Sequence, residues 1–136
     1  MRQFLRHTTE MPVELVPRKG RHIPLQRLHD ISLGGVACNS TRAFRRGTAI
    51  ELCIPLLGDQ ARFFGAVAWC RKLAEDYMIG IAFTDEENMF RARMVEQICL
   101  IEQYRKQREA SVGHALAPEA VAQEWIALHA ADFAPV

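Results

Sequence analysis

Polar and apolar residues alternate from Pro12 to about Arg18, with Val13 and Leu15 on one side, and this period of two predicts a strand. Arg18-Lys19-Gly20-Arg21 reads as a turn, and Ile23, Leu25 and Leu28 as the returning strand of a hairpin. Asp30-Ile31-Ser32-Leu33-Gly34-Gly35 follows and leads into Val36-Ala37-Cys38. Gly47 then opens a longer run, Thr48 to Leu57, with Ile50, Leu52 and Ile54 in period two and a turn at Gly58-Asp59. Arg62 to Trp69 pairs with that run. After the polar turn from Lys72 to Asp76, Tyr77 to Phe83 supplies a sixth strand. Short strands spaced by turns are what a small antiparallel barrel or sandwich requires, so the chain up to Phe83 reads as mainly β.

The period then lengthens. Thr84-Asp85-Glu86-Glu87 has the form of a capping box, and Phe90, Met94, Ile98 and Ile101 recur at helical spacing to about Gln107. Ser111-Val112-Gly113 breaks this helix. Pro118 suits the first turn of a second, Ala-rich helix in which Val121, Trp125 and Leu128 share a face. No repeat, low-complexity tract or linker divides the chain. The expected organisation is a barrel with its first helix over residues 1–110 and a helical extension over 111–136.

A chain of 136 residues, 49% hydrophobic and 24% charged, has the size and balance of one globular domain with a single core. Its longest apolar run, Phe63 to Cys70, is too short to cross a bilayer, so no membrane insertion is expected. The segment Met1 to His7 lacks the apolar stretch of a secretory signal, which makes the cytoplasm the expected location. Cys38, Cys53, Cys70 and Cys99 form no C-x-x-C pair and no zinc-like alternation with histidines; they read as reduced packing residues, and no metal is expected.

Charge changes the picture more than composition does. The net charge of +1 hides a front half, residues 1–48, at about +6 and a remainder at about −5. Of the 17 basic residues 14 are arginine, whose planar fork binds phosphates and guanine edges bidentately. The front half therefore expects an anion.

Catalysis is not expected. There is no G-x-S-x-G, no H-E-x-x-H and no Walker-type loop, and the adjacency of His29 and Asp30 is of a kind common by chance. Two features point to binding instead. In Arg2-Gln3-Phe4-Leu5-Arg6 an offset of four puts both guanidiniums on one side, with Cα atoms about 6 Å apart in a helix or about 13 Å apart in a strand. In Asp30-x-Ser32-x-x-Gly35, extended backbone faces Asp30 and Ser32 the same way, and Gly34 and Gly35 permit positive φ and a close approach of backbone N–H groups to a ligand. A serine hydroxyl donates to phosphate and a carboxylate accepts from guanine N–H groups, so this cradle complements a guanine nucleotide. Asp30, Ser32 and the glycines can equally serve to shape a turn.

An R-x-x-x-R arm followed, one hairpin later, by D-x-S-x-x-G resembles the PilZ domain, the bacterial receptor module for cyclic di-GMP. Gly47-Thr48, Gly65-Ala66-Val67-Ala68-Trp69 and Gly80-Ile81-Ala82-Phe83 resemble further motifs of that family in the same order, so the likeness spans about residues 2–84. The resemblance implies a six-stranded antiparallel β-barrel with C-terminal helices and an arm that folds over the ligand. Carried over, it implies that Arg2 and Arg6 bind phosphates and guanine edges, Asp30 and Ser32 hydrogen-bond the dinucleotide, Gly35 lets it approach, and Trp69 either stacks on a guanine or packs in the core. Cyclic di-GMP is then a ligand and no cofactor is needed. Arm closure, which costs about 1–2 kcal/mol for each residue ordered, would be the signal passed to an unidentified effector protein. Met1 stands where relatives that take an intercalated ligand pair carry another arginine, which favours one ligand per domain.

Two other functions compete. A ligand-independent interaction module would use the C-terminal helices as its partner surface, with the chain a monomer or a dimer. RNA or single-stranded DNA binding is suggested by the arginines with Phe44, Phe63, Phe64 and Trp69, but the basic residues sit on an arm and turns rather than along a stripe, so no nucleic-acid polymer is expected.

Overall fold

The computed structural model describes residues 7–58, 61–84 and 89–129. The strands are β1 (His7–Thr8), β2 (Pro12–Pro17), β3 (Ile23–Ile31), β4 (Gly35–Ser40), β5 (Ala49–Cys53), β6 (Arg62–Lys72) and β7 (Tyr77–Phe83), followed by helices α1 (Met89–Val112) and α2 (Pro118–Leu128). All pairings are antiparallel. The order β3-β2-β5-β6-β7-β4 closes through a β3–β4 pairing, so β2 to β7 form a six-stranded barrel. The two-residue β1 lies along the same edge of β3 as β2 does, with His7 opposite Ile31 and Thr8 opposite Asp30.

Alternation decides which side chains fill the barrel. Val13, Leu15, Leu28, Ile31, Val36, Leu52, Ile54, Val67, Ile79 and Ile81 are almost wholly buried and belong to one cluster. Each such burial stabilises the fold by about 1.5–3 kcal/mol. Cys38 is among them, and burial pushes its thiol up to about 12, so it packs as a neutral residue. The cysteines are all free, although Cys70 is exposed.

Met94, Ile98 and Ile101 of α1 join the barrel cluster, as do Ala122 and Trp125 of α2. The apolar stripe of the first helix is therefore covered within the chain. Residues 85–87 of the expected capping box and the side chain of Phe90 lie outside the described residues.

Three extents differ from expectation. The fifth strand stops at Cys53 because Pro55, which lacks an N–H, starts a 3-10 turn through Leu57. Helix α1 runs on to Val112 and ends at Gly113, whose φ of 82° a glycine adopts without strain, so the expected division after residue 110 falls within the helix. Leu128 does not share the buried face of Val121 and Trp125 but is 66% exposed; His129 stacks on Trp125 with ring centroids 4.4 Å apart and covers it instead.

Candidate functional site

Backbone pairing draws a row across the outer face of the barrel. Thr8 pairs with Asp30, Asp30 with Ala37, Ala37 with Gly80 and Gly80 with Trp69. Three strand spacings separate Asp30 from Trp69, on the order of 14 Å between Cα atoms, and the two residues between them, Ala37 and Gly80, are small and buried.

Two register shifts create this row. Leu28 and Ile31 both point inward, and the pairing slips between Leu28 and Asp30, which leaves His29 as an extra residue and turns Asp30 out. Likewise the pairing slips between Val67 and Trp69, with Ala68 extra, so the tryptophan leaves the inward phase of Val67. Trp69 is thus half-buried on the outside, not a core residue. Its indole lies on Gly80, where an added Cβ would come within 2.2 Å of Nε1, and the Arg71 guanidinium sits 5.9 Å from its ring centroid. Gly80 stood out in the sequence only as part of the Gly80-Ile81-Ala82-Phe83 motif and Ala37 not at all; their small size in line with Asp30 carries meaning only once the register is known.

Ser32 behaves differently from Asp30. Strict alternation faces the two the same way, but the bulge and the turn separate them: Ser32 is 3% exposed and closes the β3–β4 hairpin. Its hydroxyl donates to the Gly35 carbonyl at 3.3 Å and accepts from the Gly34 N–H at 3.2 Å, while its own N–H donates to the Gly35 carbonyl at 2.9 Å. The serine shapes the turn, and the Phe83 N–H, donating to the Gly34 carbonyl at 2.9 Å, ties that turn to β7.

Gly35 does not use the positive φ that a glycine permits; a Cβ there would meet the Ile81 carbonyl oxygen at 2.2 Å. The missing side chain makes room for β7. Arg2 and Arg6 lie outside the described residues, which begin at His7 beside Ile31. Among the described residues no three His, Cys, Asp or Glu side chains gather as a metal site, and no helix is long and apolar enough to cross a membrane.

The segment between β1 and β2 is wired to the helices. The Glu10 carbonyl accepts from Arg27 at 3.2 Å and its carboxylate accepts from Arg105 of α1. Arg27 in turn grips Glu119 of α2 with both terminal nitrogens, at 2.8 and 2.9 Å. That fork holds the Glu119 carboxyl below its ordinary pKa and raises that of Arg27.

The closed barrel, the D-x-S-x-x-G hairpin and the outward tryptophan agree with a family model: the sequence matches the PilZ domain over residues 1–98. The chain belongs to the PilZ family. Among solved structures, this PilZ chain resembles Bacillus subtilis inhibitor of motility, MotI/DgrA, with TM-score 0.59 and 20% identity over 76% of this chain; it spans about half, 51%, of that protein. It also resembles the PilZ domain of YcgR from Escherichia coli, solved with c-di-GMP, with TM-score 0.59 and 18% identity over 81% of this chain and 97% of that one. At these identities the likeness concerns the fold. No curated protein sequence matches this PilZ chain.

Proposed function

We propose that this PilZ domain is a cyclic di-GMP receptor and adaptor in which Arg2 and Arg6 clamp the phosphates and guanine edges. Asp30 accepts from a guanine, and Trp69, seated on Gly80, offers a stacking face. The observation that carries the reading is the outer row, because it lines up Asp30 and Trp69 and ends at Thr8, in the strand that follows Arg6. In the bound form Ser32 either keeps shaping the turn or rotates its hydroxyl to a phosphate. Family membership, and a PilZ neighbour solved with c-di-GMP, support the choice of ligand.

Output follows from the wiring. Ordering the arm ahead of β1 loads Glu10, and Glu10 is bonded to Arg105 of α1 and to Arg27, the partner of Glu119 in α2. An effector protein that reads the helices would sense the arm.

Calorimetry with cyclic di-GMP tests the site. The parent chain is expected to bind, and Arg6→Ala and Asp30→Ala each to weaken binding by tenfold or more, about 1.4 kcal/mol, as loss of a charge-assisted bond does. Unchanged affinity in both variants overturns the proposal.

A further inference from the structure

Apart from Arg71, which lies against Trp69, the arginines whose side chains are described fall into two groups. Arg27, Arg62, Arg105 and Arg108 each meet a carboxylate: Glu119 at 2.8 Å, Glu51 at 3.2 Å, Glu102 at 3.0 Å and Glu124 at 3.1 Å. Arg18, Arg21, Arg42, Arg45 and Arg46 form no ion pair among the described residues, and all five gather with Lys19 at one end of the barrel. That end is opposite the D-x-S-x-x-G hairpin, on the order of 25 Å away along β3.

The loops that carry them are built, not loose. The Arg18 N–H donates to the Ala49 carbonyl at 3.0 Å and joins the β2–β3 turn to the start of β5. The Arg42 guanidinium lies against Gly20, where a Cβ would come within 2.9 Å, and its carbon sits 4.6 Å from the centroid of the buried Phe44 ring. Ser40 Oγ bonds the Arg42 backbone both ways, at 2.7 and 3.1 Å, and Thr48 Oγ1 donates to the Arg45 carbonyl at 2.6 Å. The segments 17–22 and 40–48 contain no acid. The acids of this end, Glu75 and Asp76, sit in the β6–β7 turn, where Asp76 accepts from Asn39 at 3.4 Å. Glu14 reaches the β2–β3 turn too, but its carboxylate pairs with His22 at 2.9 Å. Among the described residues no carboxylate pairs with the six cations, which repel one another, and an anionic partner removes that cost.

We infer that this end is a docking surface for a carboxylate-rich face of another protein, separate from the nucleotide site and independent of its assignment. Five of the six cations are arginines, whose forks pair carboxylates bidentately, and holding their loops and the Arg42 guanidinium in advance lowers the entropy lost on binding. The described large exposed hydrophobics, Phe64, Leu100, Val112 and Leu128, all lie elsewhere, so the end offers neither a wedge for a membrane nor a ring for base stacking. A long polyanion would also confront the acidic remainder of the chain, at about −5, whereas a compact acidic face meets the basic end alone.

The test is a titration by fluorescence anisotropy of the full chain with three probes: a labelled Glu/Asp-rich peptide of about 20 residues, a duplex DNA of similar charge and vesicles containing phosphatidylserine. The peptide is expected to bind most tightly. Arg21→Ser/Arg45→Ser/Arg46→Ser should weaken it about tenfold, while Arg62→Ser/Lys106→Ser/Arg108→Ser, which removes as much charge elsewhere, costs less than about threefold. The single Arg46→Glu, at an exposed loop position, should move affinity the same way if the triple variant folds poorly. Tighter binding of DNA or vesicles, no peptide binding, or equal losses in the two triple variants overturns the inference.

Discussion

Gly80 has no side chain, and that is what lets Trp69 stand where it does. An added methyl would meet the indole at 2.2 to 2.8 Å, and rigid ring atoms cannot yield that distance. Gly80→Ala is therefore expected to expel Trp69 from its bed, shift its fluorescence to the red and cost about 1–3 kcal/mol of stability. Circular dichroism melts and emission spectra check this, and an unmoved spectrum would show that the indole has another resting place. Asp30 was legible as a candidate in the sequence, since its type and its distance from Ser32 are local facts. Its outward direction was not, because the bulge at His29 exists only in the pairing of β3 with β4. Ser32 shows the converse: its spacing from Asp30 was plain, yet its hydroxyl is spent on its own hairpin.

Helix α2 is held to the barrel by one packed face and one charged fork. Val121 and Trp125 are buried, and Glu119 in its first turn receives both nitrogens of Arg27. The Glu119 carboxyl has a lowered pKa, so it contributes stability above its unfolded value, near 4.5, and that contribution is lost as pH falls through the folded value. Both partners are almost half exposed, so the contribution stays below about 1 kcal/mol. Glu119→Gln is expected to lower stability slightly at pH 7 and to flatten part of its decline between about pH 5 and pH 3; urea melts across that range read it. The helices were predictable because periodicity near 3.6 is a property of consecutive residues. The exposure of Leu128 was not, since it depends on His129 folding back over Trp125.

Across the whole molecule, Glu10 joins the segment between β1 and β2 to helix α1. Its carboxylate reaches α1 through Arg105, which also holds the buried Glu102 at 3.0 Å. If arm closure is the signal, adding cyclic di-GMP should slow amide exchange around Arg105, and Glu10→Ala should abolish that change while leaving affinity within about threefold. Hydrogen exchange with mass detection tests it; equal slowing in the variant would route the signal elsewhere. The barrel's closure, by contrast, is insensitive to such single contacts, because β2 to β7 each have neighbours on both edges.

The sequence by itself determined where strands give way to helices, which residues are apolar enough to fill the barrel, and which motifs stand in PilZ order. These follow from periodicity and residue type along a short stretch of chain. Only the tertiary structure decided that Asp30 and Trp69 lie in one outer row with Ala37 and Gly80, that Gly35 makes room for β7, and that Arg18, Arg21, Arg42, Arg45 and Arg46 collect at one end. Each depends on register between strands far apart in sequence, and register is set by the packing of the whole barrel.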